Sequence, residues 1–398
     1  MKKLLQSLSK KFDKLRNKVI QPAEGVIKHD YLIPGGYYKQ MWDWDGFFIG
    51  IHLATRSRDK AKYLKWWVLN YVNLIDKKGY APGCVTPEGP CQDPGRFFMK
   101  PFLAQGCYFA SAYAGDFTWI KPIFATIKKV VAYREKTQWD ETYGLFFWEN
   151  AIQSGADNNP VLTNDKNNKN TILACDMNTF QLREYISLSK ICKELGFSED
   201  ERIYNRKVFD LTKAIEKHLW FEKNHSFFNI RRDSGEPIKR ISYSNFTPLL
   251  QNIATQEHGE TMIRIYLWNQ THMLSDFGLR SLSVQDEEYN NENIIMPCSN
   301  WQGPIWPVAN YLYSIMLKNY GFTSEAETLA GMLGELCLKD IKKCGSMHEN
   351  YHAETGKPLA PASEHSPDGK FRGFIGWNLL VQNMLEGAVK GKYTLLNL

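Results

Sequence analysis

The sequence has few of the signals that mark β-strands, cofactor sites or membrane spans. Helical periodicity recurs along its 398 residues, while alternating strand patterns are scarce. It contains no phosphate-binding glycine loop, no dinucleotide fingerprint and no G-x-S-x-G elbow, which are the usual marks of nucleotide-dependent enzymes and α/β-hydrolases. No apolar run has the length of a transmembrane helix or of a signal-peptide core. We therefore expect a helical protein with no cofactor and no membrane contact.

Metal-ligand spacing is also absent. The eight cysteines include no C-x-x-C pair and form no zinc-like cluster with histidine. His348 and His352 enclose a glutamate, but Gly356 follows too soon for the continuous helix of a zinc-protease motif. No metal site is predicted.

The cysteines also bear on the compartment. Cys84 and Cys91 are close enough in sequence to bridge in an oxidising compartment. Because no signal sequence is evident, we expect reduced cysteines and a cytoplasmic location.

Charge is evenly spread apart from one basic stretch. The chain has 49 Lys and Arg against 43 Asp and Glu, and their mixing argues against a nucleic-acid surface. Residues 1–25 combine lysines with apolar residues at helical spacing, which predicts a basic amphipathic helix. We expect this helix to lie on the domain. A targeting or membrane-surface role is the alternative.

Helices alternate with long polar loops. Helices are predicted at 61–74, 117–133, 176–195, 198–219, 306–317 and 377–389, with capping-box spacing at Ser198/Glu201 and Ser324/Glu327. Long loops occupy 79–96, 153–171, 285–303 and 347–376. Loops of this length are uncommon unless they have a function. The pattern suits a single all-α domain of residues 1–398, a toroid of helix pairs with a cleft at one end. A stacked helical-repeat array is the alternative.

Aromatic residues are abundant, at 14% of the chain with 12 Trp and 20 Tyr. Sugars present apolar faces to aromatic rings and hydroxyls to polar side chains. Trp42 and Trp44 alternate with Asp43 and Asp45, which fits either a sugar platform or a capped helix start. The 300–307 segment sets two tryptophans around a Gly-Pro turn, which fits a sugar wall or simply a packed loop.

Two further segments offer carboxylates for catalysis. Asp157 lies between the Gly155 turn and an Asn-Asn-Pro stop, after an aromatic run. Burial against rings would raise its pKa as a general acid needs, but Gly and Asn neighbours are typical of a turn aspartate, which the local sequence alone favours. The 347–377 segment offers Glu349, Glu354 and Glu364 as candidates for a water-activating base.

Taken in order, these segments resemble inverting glycosidases with an (α/α)6 barrel, most closely glycoside hydrolase family 63, with trehalases as more distant kin. The matching motifs are 42–45, 154–160, 175–178, 301–306, 349–356 and 374–377. The resemblance covers residues 38–377 and implies that Asp157 is the general acid and Glu349 the general base, with Glu364 as competitor for the base. The implied sugar-contacting residues are Tyr38, Trp42, Trp44, Asp45, Lys100, Asn178, Trp301, Gln302, Trp306, Glu364 and Trp377.

Some residues depart from the family pattern. Asn159 stands where serine is usual, Gln302 where arginine is usual, and Lys100 where glutamine is expected before proline. We hypothesise that Lys100 meets an anionic aglycone, such as one that carries a carboxylate.

The resemblance implies an inverting, exo-acting α-glycoside hydrolase that releases glucose or mannose from a small carbohydrate substrate. The chain is similar in size to compact bacterial members that cleave mannosylglycerate or glucosylglycerate. The alternatives are a trehalase-like α,α-glucosidase, an inactive sugar-binding protein, and a lyase or epimerase that uses His348 or His352. No oligomeric state is predicted.

Overall fold

Helices make up most of the fold. The computed structural model describes residues 1–36, 38–91, 98–162, 171–294, 299–360 and 370–391. The α-helices are α1 (Lys2–Leu15), α2 (Asp43–Ala54), α3 (Ala61–Val72), α4 (Leu103–Ala114), α5 (Phe124–Thr137), α6 (Ala151–Ser154), α7 (Cys175–Leu195), α8 (Ser198–Leu219), α9 (Tyr243–Phe246), α10 (Gln256–Met262), α11 (Pro307–Asn319), α12 (Thr323–Cys344) and α13 (Leu380–Lys390). Short 3-10 helices cover Arg16–Val19, Arg58–Lys60, Thr118–Ile123, Glu222–Asn224, Thr247–Gln251 and Trp377–Leu379, and Ile263–Leu267 is a π-helical turn.

The strands are short and join loops at the helix ends. They are β1 (Ile20–Gln21), β2 (Tyr31–Leu32), β3 (Met41–Trp42), β4 (Cys84–Thr86), β5 (Gly89–Pro90), β6 (Trp139–Asp140), β7 (Leu145–Phe146), β8 (Ile172–Leu173), β9 (Trp220–Phe221), β10 (Ser226–Phe227), β11 (Ile230–Arg231), β12 (Asn350–Tyr351) and β13 (Pro358–Leu359). All pair antiparallel, as β1–β2, β3–β4–β5, β6–β7, β8–β11, β9–β10 and β12–β13.

Six helical segments form a closed inner ring. Helix α2 packs against α4, and α4 against α7. Helix α7 packs against α9 and the following 3-10 helix, which in turn packs against α11. The ring closes through α13, which contacts both α11 and α2. In chain order α1, α3, α5, α8, α10 and α12 alternate with these inner segments. This arrangement is an (α/α)6 toroid, so the predicted fold class is confirmed.

Burial separates the inner helices from the outer ones. Every residue of α2 is buried, and so is every residue of α11 from 307 to 317. Outer helix α8 buries a single stripe, Tyr204, Leu211, Ile215 and Leu219. A helix surrounded by other helices needs apolar or paired side chains on all faces, whereas an outer helix needs one apolar stripe.

Most predicted helices are present with nearly the expected bounds. Helices α3, α7, α8 and α11 match the segments predicted at 61–74, 176–195, 198–219 and 306–317. The segment predicted at 117–133 begins as a 3-10 helix that contains Pro122 and becomes α-helical at Phe124. Proline lacks the amide hydrogen that an α-helix interior requires.

The two capping boxes were wrong. Helix α8 is preceded by Phe197 and α12 by Phe322, and neither residue's side chain caps its helix. Ser198 is already the first helical residue, so its hydroxyl cannot take the N-cap position. The C-cap prediction at Gly196 is confirmed, since this residue ends α7 with a φ of 75°.

The basic N-terminal helix lies on the domain, as expected. Helix α1 ends at Leu15 and packs against α12 and α13 through Leu8, Phe12 and Leu15. Arg16 then donates to the His52 ring at 3.1 Å. Among the described residues, no helix combines the length and the apolar character needed to cross a bilayer.

One expectation about cysteine was wrong. Cys84 and Cys91 form a disulfide that links β4 to the residue after β5. Disulfides are typical of oxidising compartments, and the cytoplasmic location stays a prediction.

Candidate active site

The loops that lead into the inner helices meet at one end of the toroid. Trp44 lies in the first turn of α2, Trp306 directly precedes α11, and Trp377 begins the turn that leads into α13. The Trp44 ring centroid is 6.0 Å from that of Trp301 and 5.6 Å from that of Trp377. The structure therefore gathers four of the predicted tryptophans into one cluster.

Trp301 and Trp306 form the base of this cluster. Their rings stack at 4.3 Å with planes 8° apart, and both side chains are buried. The Trp306 indole donates to the Asn300 carbonyl at 2.9 Å. In contrast, the buried indole Nε1 atoms of Trp301 and Trp377 have no hydrogen-bond partner among the described residues. The packed-loop interpretation thus accounts for all of Trp306 but not for the two unpartnered indole donors.

Asp157 is presented by a turn that favours glycine. Helix α6 ends at Gly155, which has a φ of 80°. A Cβ atom on Gly155 would lie 2.7 Å from the Trp44 ring and 3.0 Å from Lys100 Cε. The turn therefore rests directly on the tryptophan cluster. Both interpretations of the sequence apply here, because Asp157 is a turn residue that also lies against aromatic rings.

Hydrogen bonds from the 299–301 segment hold the Asp157 turn. Ser299 donates to Asp157 Oδ2 through its backbone amide at 3.3 Å and through its hydroxyl at 2.8 Å. The Trp301 amide donates to Asn158 Oδ1 at 2.5 Å. Burial raises the pKa of Asp157 to about 6, against the opposing effects of the Ser299 bonds and the Lys100 charge. A carboxyl with this pKa is partly protonated near neutral pH.

Glu349 lies at the start of a strand. It precedes β12, whose Tyr351 exchanges backbone hydrogen bonds with Ile305 at 2.8 and 3.0 Å. The Glu349 side chain is 8% exposed and accepts a hydrogen bond from the Tyr38 hydroxyl at 3.2 Å. Burial, followed by the charge of Asp157, raises its pKa to about 8, and the Tyr38 bond opposes this rise.

Asp340 of α12 fixes the residues on both sides of Glu349. Its Oδ2 accepts from the His348 amide at 2.8 Å, from His348 Nδ1 at 2.8 Å and from the Tyr351 hydroxyl at 3.0 Å. Asp340 is itself buried. The backbone that carries Glu349 is therefore anchored to an outer helix.

Four acidic groups act on one another in the site. Burial raises the pKa of Asp45 well above its ordinary value, and the charge of Glu349 adds to the rise. The pKa of Tyr38 is raised by burial and then by the charges of Glu349, Asp45 and Asp157. These four side chains therefore form one cluster, in which each proton taken up or released changes the others.

Lys100 is a buried cation whose charge acts on this cluster. Its Nζ lies 3.0 Å from Asp43 Oδ1, and its backbone amide donates to Asp43 Oδ2 at 2.7 Å. Lys100 is 2% exposed and Asp43 is fully buried. The Lys100 charge lowers the pKa of both Asp45 and Asp157. Lys100 thus acts on the acidic cluster while its own charge is already paired with the carboxylate of Asp43.

Two predicted sugar contacts are bonded within the protein. Asn178 is buried and bonds backbone groups of Phe146 and Ala174 at 2.7 to 2.9 Å. Gln302 bonds the side chains of Asn290 and Glu288 in the neighbouring loop.

Trp42 was also predicted to contact the sugar. Trp42 packs with the Cys84–Cys91 disulfide. Glu364, the predicted competitor of Glu349, lies outside the described residues.

Sequence reasoning missed Ser299, Asp340 and Tyr243. Ser299 stands in a loop without a motif, so nothing local marks it. Asp340 could have been noticed in the sequence, because an acidic residue there interrupts the apolar side of α12. Tyr243 donates to Asp176 Oδ2 at 2.8 Å beneath Trp301, a contact between segments too distant in sequence to be predicted.

The histidines do not form the zinc-protease arrangement, because Asn350–Tyr351 between them is a strand. In the described part of the chain, Asp340, Cys344 and His348 bring three possible metal-ligand atoms within 4.8 Å of one another. Asp340 already accepts hydrogen bonds from His348 and Tyr351. These bonds explain why the three side chains lie together, because they anchor the loop that carries Glu349.

Comparisons with known proteins identify the family and agree with the fold. Residues 37–368 match the family model described as the mannosylglycerate hydrolase MGH1-like glycoside hydrolase domain. A glycoside hydrolase family 63 mannosylglycerate hydrolase from Thermus thermophilus, solved with glucose, superposes with a TM-score of 0.73 and 16% identity, covering 94% of this chain and 98% of that one.

Two curated relatives have names of glycosidases. Periplasmic trehalase of Escherichia coli O1:K1 is 22% identical, over 79% of this chain and 63% of the trehalase. Mannosyl-oligosaccharide glucosidase of Saccharomyces cerevisiae is 24% identical, over 50% of this chain and 24% of the glucosidase. The chain thus spans less than two thirds of the length of these relatives.

Proposed function

This chain belongs to the mannosylglycerate hydrolase MGH1-like glycoside hydrolase family, and on that premise we propose that it is an inverting, exo-acting hydrolase of small α-glycosides of glucose or mannose. The observation that carries the proposal is the pair Asp157 and Glu349. The two carboxyls come from separate loops, each has a raised pKa, and the charge of one acts on the other. Inverting glycosidases use such a pair, with carboxyls ~6.5–9.5 Å apart.

In the proposed mechanism Asp157 donates its proton to the glycosidic oxygen. Glu349, ionised, accepts a proton from a water that attacks the anomeric carbon from the opposite face. The glycosidic bond breaks as the water oxygen forms the new bond, so the product has inverted configuration. The proton gained by Glu349 and the one lost by Asp157 are then exchanged with solvent.

The pKa order in the structure is the reverse of these roles, because Glu349 has the higher value. The active enzyme needs one proton on the pair, which is also the state favoured between the two pKa values. A bound water that donates to Glu349 stabilises its ionised form. A glycosidic oxygen that accepts from Asp157 stabilises the protonated acid. Substrate and water together therefore favour the productive placement of the single proton.

The sugar is proposed to lie against Trp44, with Tyr38 and Asp45 as hydroxyl contacts. The unpartnered indole donors of Trp301 and Trp377 in the described part of the chain support a polar ligand at this place. A buried donor without a partner costs free energy that a sugar hydroxyl offsets by accepting the bond. Asn178 and Gln302 have partners within the protein and are not needed for this contact.

For the aglycone we propose glycerate, which the name of the Thermus thermophilus mannosylglycerate hydrolase supports. Trehalose is the second candidate, favoured by the similarity to periplasmic trehalase. The predicted contact between Lys100 and a carboxylate finds little support, since Asp43 already pairs with this lysine. If wild type and Lys100→Ala discriminate equally between charged and neutral glycosides, the contact does not exist.

The test is a screen of the purified protein against mannosyl- and glucosylglycerate, trehalose, kojibiose, nigerose and maltose. The product anomer is followed by NMR from the start of the reaction, with Asp157→Asn as the inactive control. We expect release of the β-anomer from mannosyl- or glucosylglycerate, and of α- and β-glucose in equal amounts from trehalose, because its leaving glucose keeps the α-configuration. Initial release of the α-anomer from a glycosylglycerate, or of α-glucose alone from trehalose, would show retention and refute the mechanism. Sugar binding by calorimetry without turnover would identify a binding protein instead.

A further inference from the structure

Arg183 is a buried cation in the interior of the toroid. It lies in the inner helix α7 and is 1% exposed. Its Nε donates to Gln105 Oε1 of α4 at 3.1 Å. Its two amino groups, Nη1 and Nη2, have no hydrogen-bond partner within the described part of the chain. A buried guanidinium is normally paired with an anion or fully hydrogen-bonded.

The nearest acidic residue in sequence serves other groups. Glu184 accepts from the Gln105 amide at 3.1 Å, and its charge acts on Arg134. Burial lowers the pKa of Arg183 to about 9, and Tyr311 acts in the opposite direction. Arg134 makes the contrast clear, since it is equally buried but donates to Met99 and Gln138 and lies near Glu184.

A second unpartnered donor lies on the same face of α7. Ser187 follows Arg183 by one helical turn, is fully buried, and its hydroxyl has no partner among the described residues. Residues four apart on a helix lie side by side. The next turn carries the half-buried Lys190, whose pKa is lowered by burial and then by the charge of Arg183. This face of α7 therefore combines two cations and a hydroxyl.

We propose that Arg183 and Ser187 bind a small inorganic anion of the halide class inside the toroid. A negative ion would supply a counter-charge and accept bonds from Nη1, Nη2 and the hydroxyl together. A single-atom anion suits these donors because it accepts from any direction. The start of α7 lies next to the tryptophan cluster, because Asp176 binds Tyr243, whose ring lies 5.3 Å from that of Trp301. Arg183 is further along the helix by two turns, about 10 Å away, so this anion site is separate from the sugar site.

The first experiment measures thermal unfolding of the full chain in sodium gluconate, with chloride or bromide substituted at constant ionic strength. Tm of the wild type should rise with halide and approach saturation, because an ion that binds only the folded state stabilises it by mass action. Arg183→Met should show no halide dependence. Arg206→Met removes an arginine whose side chain is 73% exposed and should keep the wild-type response.

The second experiment is anomalous diffraction from crystals grown in bromide. A bromide peak within hydrogen-bond distance of Arg183 Nη1 or Nη2 is expected. Ordered water alone at this place, or an equal halide response in wild type and Arg183→Met, would overturn the proposal. If Arg183→Met does not fold, Ser187→Ala replaces it in the titration, where a weakened response is expected and an unchanged one, with no bromide peak, counts against the site.

Discussion

Asp157 and Glu349 belong to one cluster of charges, but the structure holds them by different means. Asp157 stands on a glycine turn, half-buried, and accepts two hydrogen bonds from Ser299 of a neighbouring loop. Glu349 is buried at the start of a strand, and Asp340 of an outer helix binds the residues on both sides of it. The position of Asp157, the proposed acid, thus depends on contact between two loops, and that of Glu349, the proposed base, depends on contact with a helix. We call these two parts of the site the acid side and the base side.

This difference bears on how each carboxyl is tuned. Burial is the largest cause of the raised pKa on both sides. On the acid side the Ser299 bonds and the Lys100 charge oppose it, whereas on the base side the Tyr38 bond does. More opposing contacts act on Asp157, and its pKa is accordingly the lower of the two. The pair therefore binds its first proton mainly through Glu349.

The largest expected effect is the loss of either carboxyl. Asp157→Asn removes the proton donor and Glu349→Gln removes the base that activates water. Because general acid–base catalysis contributes about 10²–10⁴-fold in rate, each change should lower kcat by orders of magnitude while sugar binding survives. Steady-state kinetics gives kcat, and calorimetry gives the affinity for the sugar.

Two other glutamates test the assignment of the base, one as a matched control and one as its competitor. Glu354→Gln should keep a kcat near that of the wild type, because Glu354 pairs with Arg280 outside the acidic cluster. Glu364→Gln tests the competing assignment. If it loses more activity than Glu349→Gln, the base is Glu364 and the assignment to Glu349 is wrong.

A smaller loss is expected when Asp340 is changed. Asp340→Asn weakens the bonds that anchor His348 and Tyr351, so Glu349 should move relative to the attacking water. A misplacement of about 1 Å can cost on the order of 10²-fold, and we expect a fall of about ten- to a hundredfold in kcat with KM little changed.

A reduced Tm alone does not establish this role for Asp340. The measurement is therefore kcat per folded molecule, well below the Tm of the variant. Normal kcat in the folded fraction would show that Asp340 serves stability only and that the base side needs no such anchor.

The fold, the two carboxyls and their partners differ in how far the sequence could predict them. The helix patterns predicted an all-α fold of helix pairs, and only the family resemblance favoured a toroid over a stacked helical-repeat array. The inner and outer helices differ in how many faces are apolar, as α2 and α8 do. Asp157 was recognisable only through its family motif, since a turn aspartate and a catalytic one share the same local sequence. Ser299 and Tyr38 could not be assigned as partners of the two carboxyls, because those contacts join segments far apart in the chain.

Lys100 shows a different limit of sequence reasoning. A lysine near a predicted sugar site suggested an anionic substrate, but the protein already supplies the anion through Asp43. Whether a charged residue faces the ligand or the protein depends on the fold around it. In the same way, Asn178 stood in a motif that matches the family, and its amide bonds the backbone beside α7 and in β7.

The smallest effects are shifts in pH dependence, and they distinguish the two sides most sharply. Activity requires one proton on the pair, so kcat/KM should be bell-shaped, with limbs near the pKa values of about 6 for Asp157 and about 8 for Glu349. The acidic limb reports the second protonation of the pair, and the basic limb reports loss of its last proton.

Ser299→Ala and Tyr38→Phe should move opposite limbs of this profile. The Ser299 hydroxyl lowers the pKa of Asp157, so its removal should move the acidic limb to higher pH and narrow the pH range of activity. The Tyr38 hydroxyl lowers the pKa of Glu349, so its removal should move the basic limb to higher pH and widen the pH range of activity. Each shift should reach up to about one pH unit, since one unit corresponds to about 1.4 kcal/mol, near the lower end of a hydrogen bond to a charged group. If both variants move the same limb, the two protons do not belong to the carboxyls as assigned.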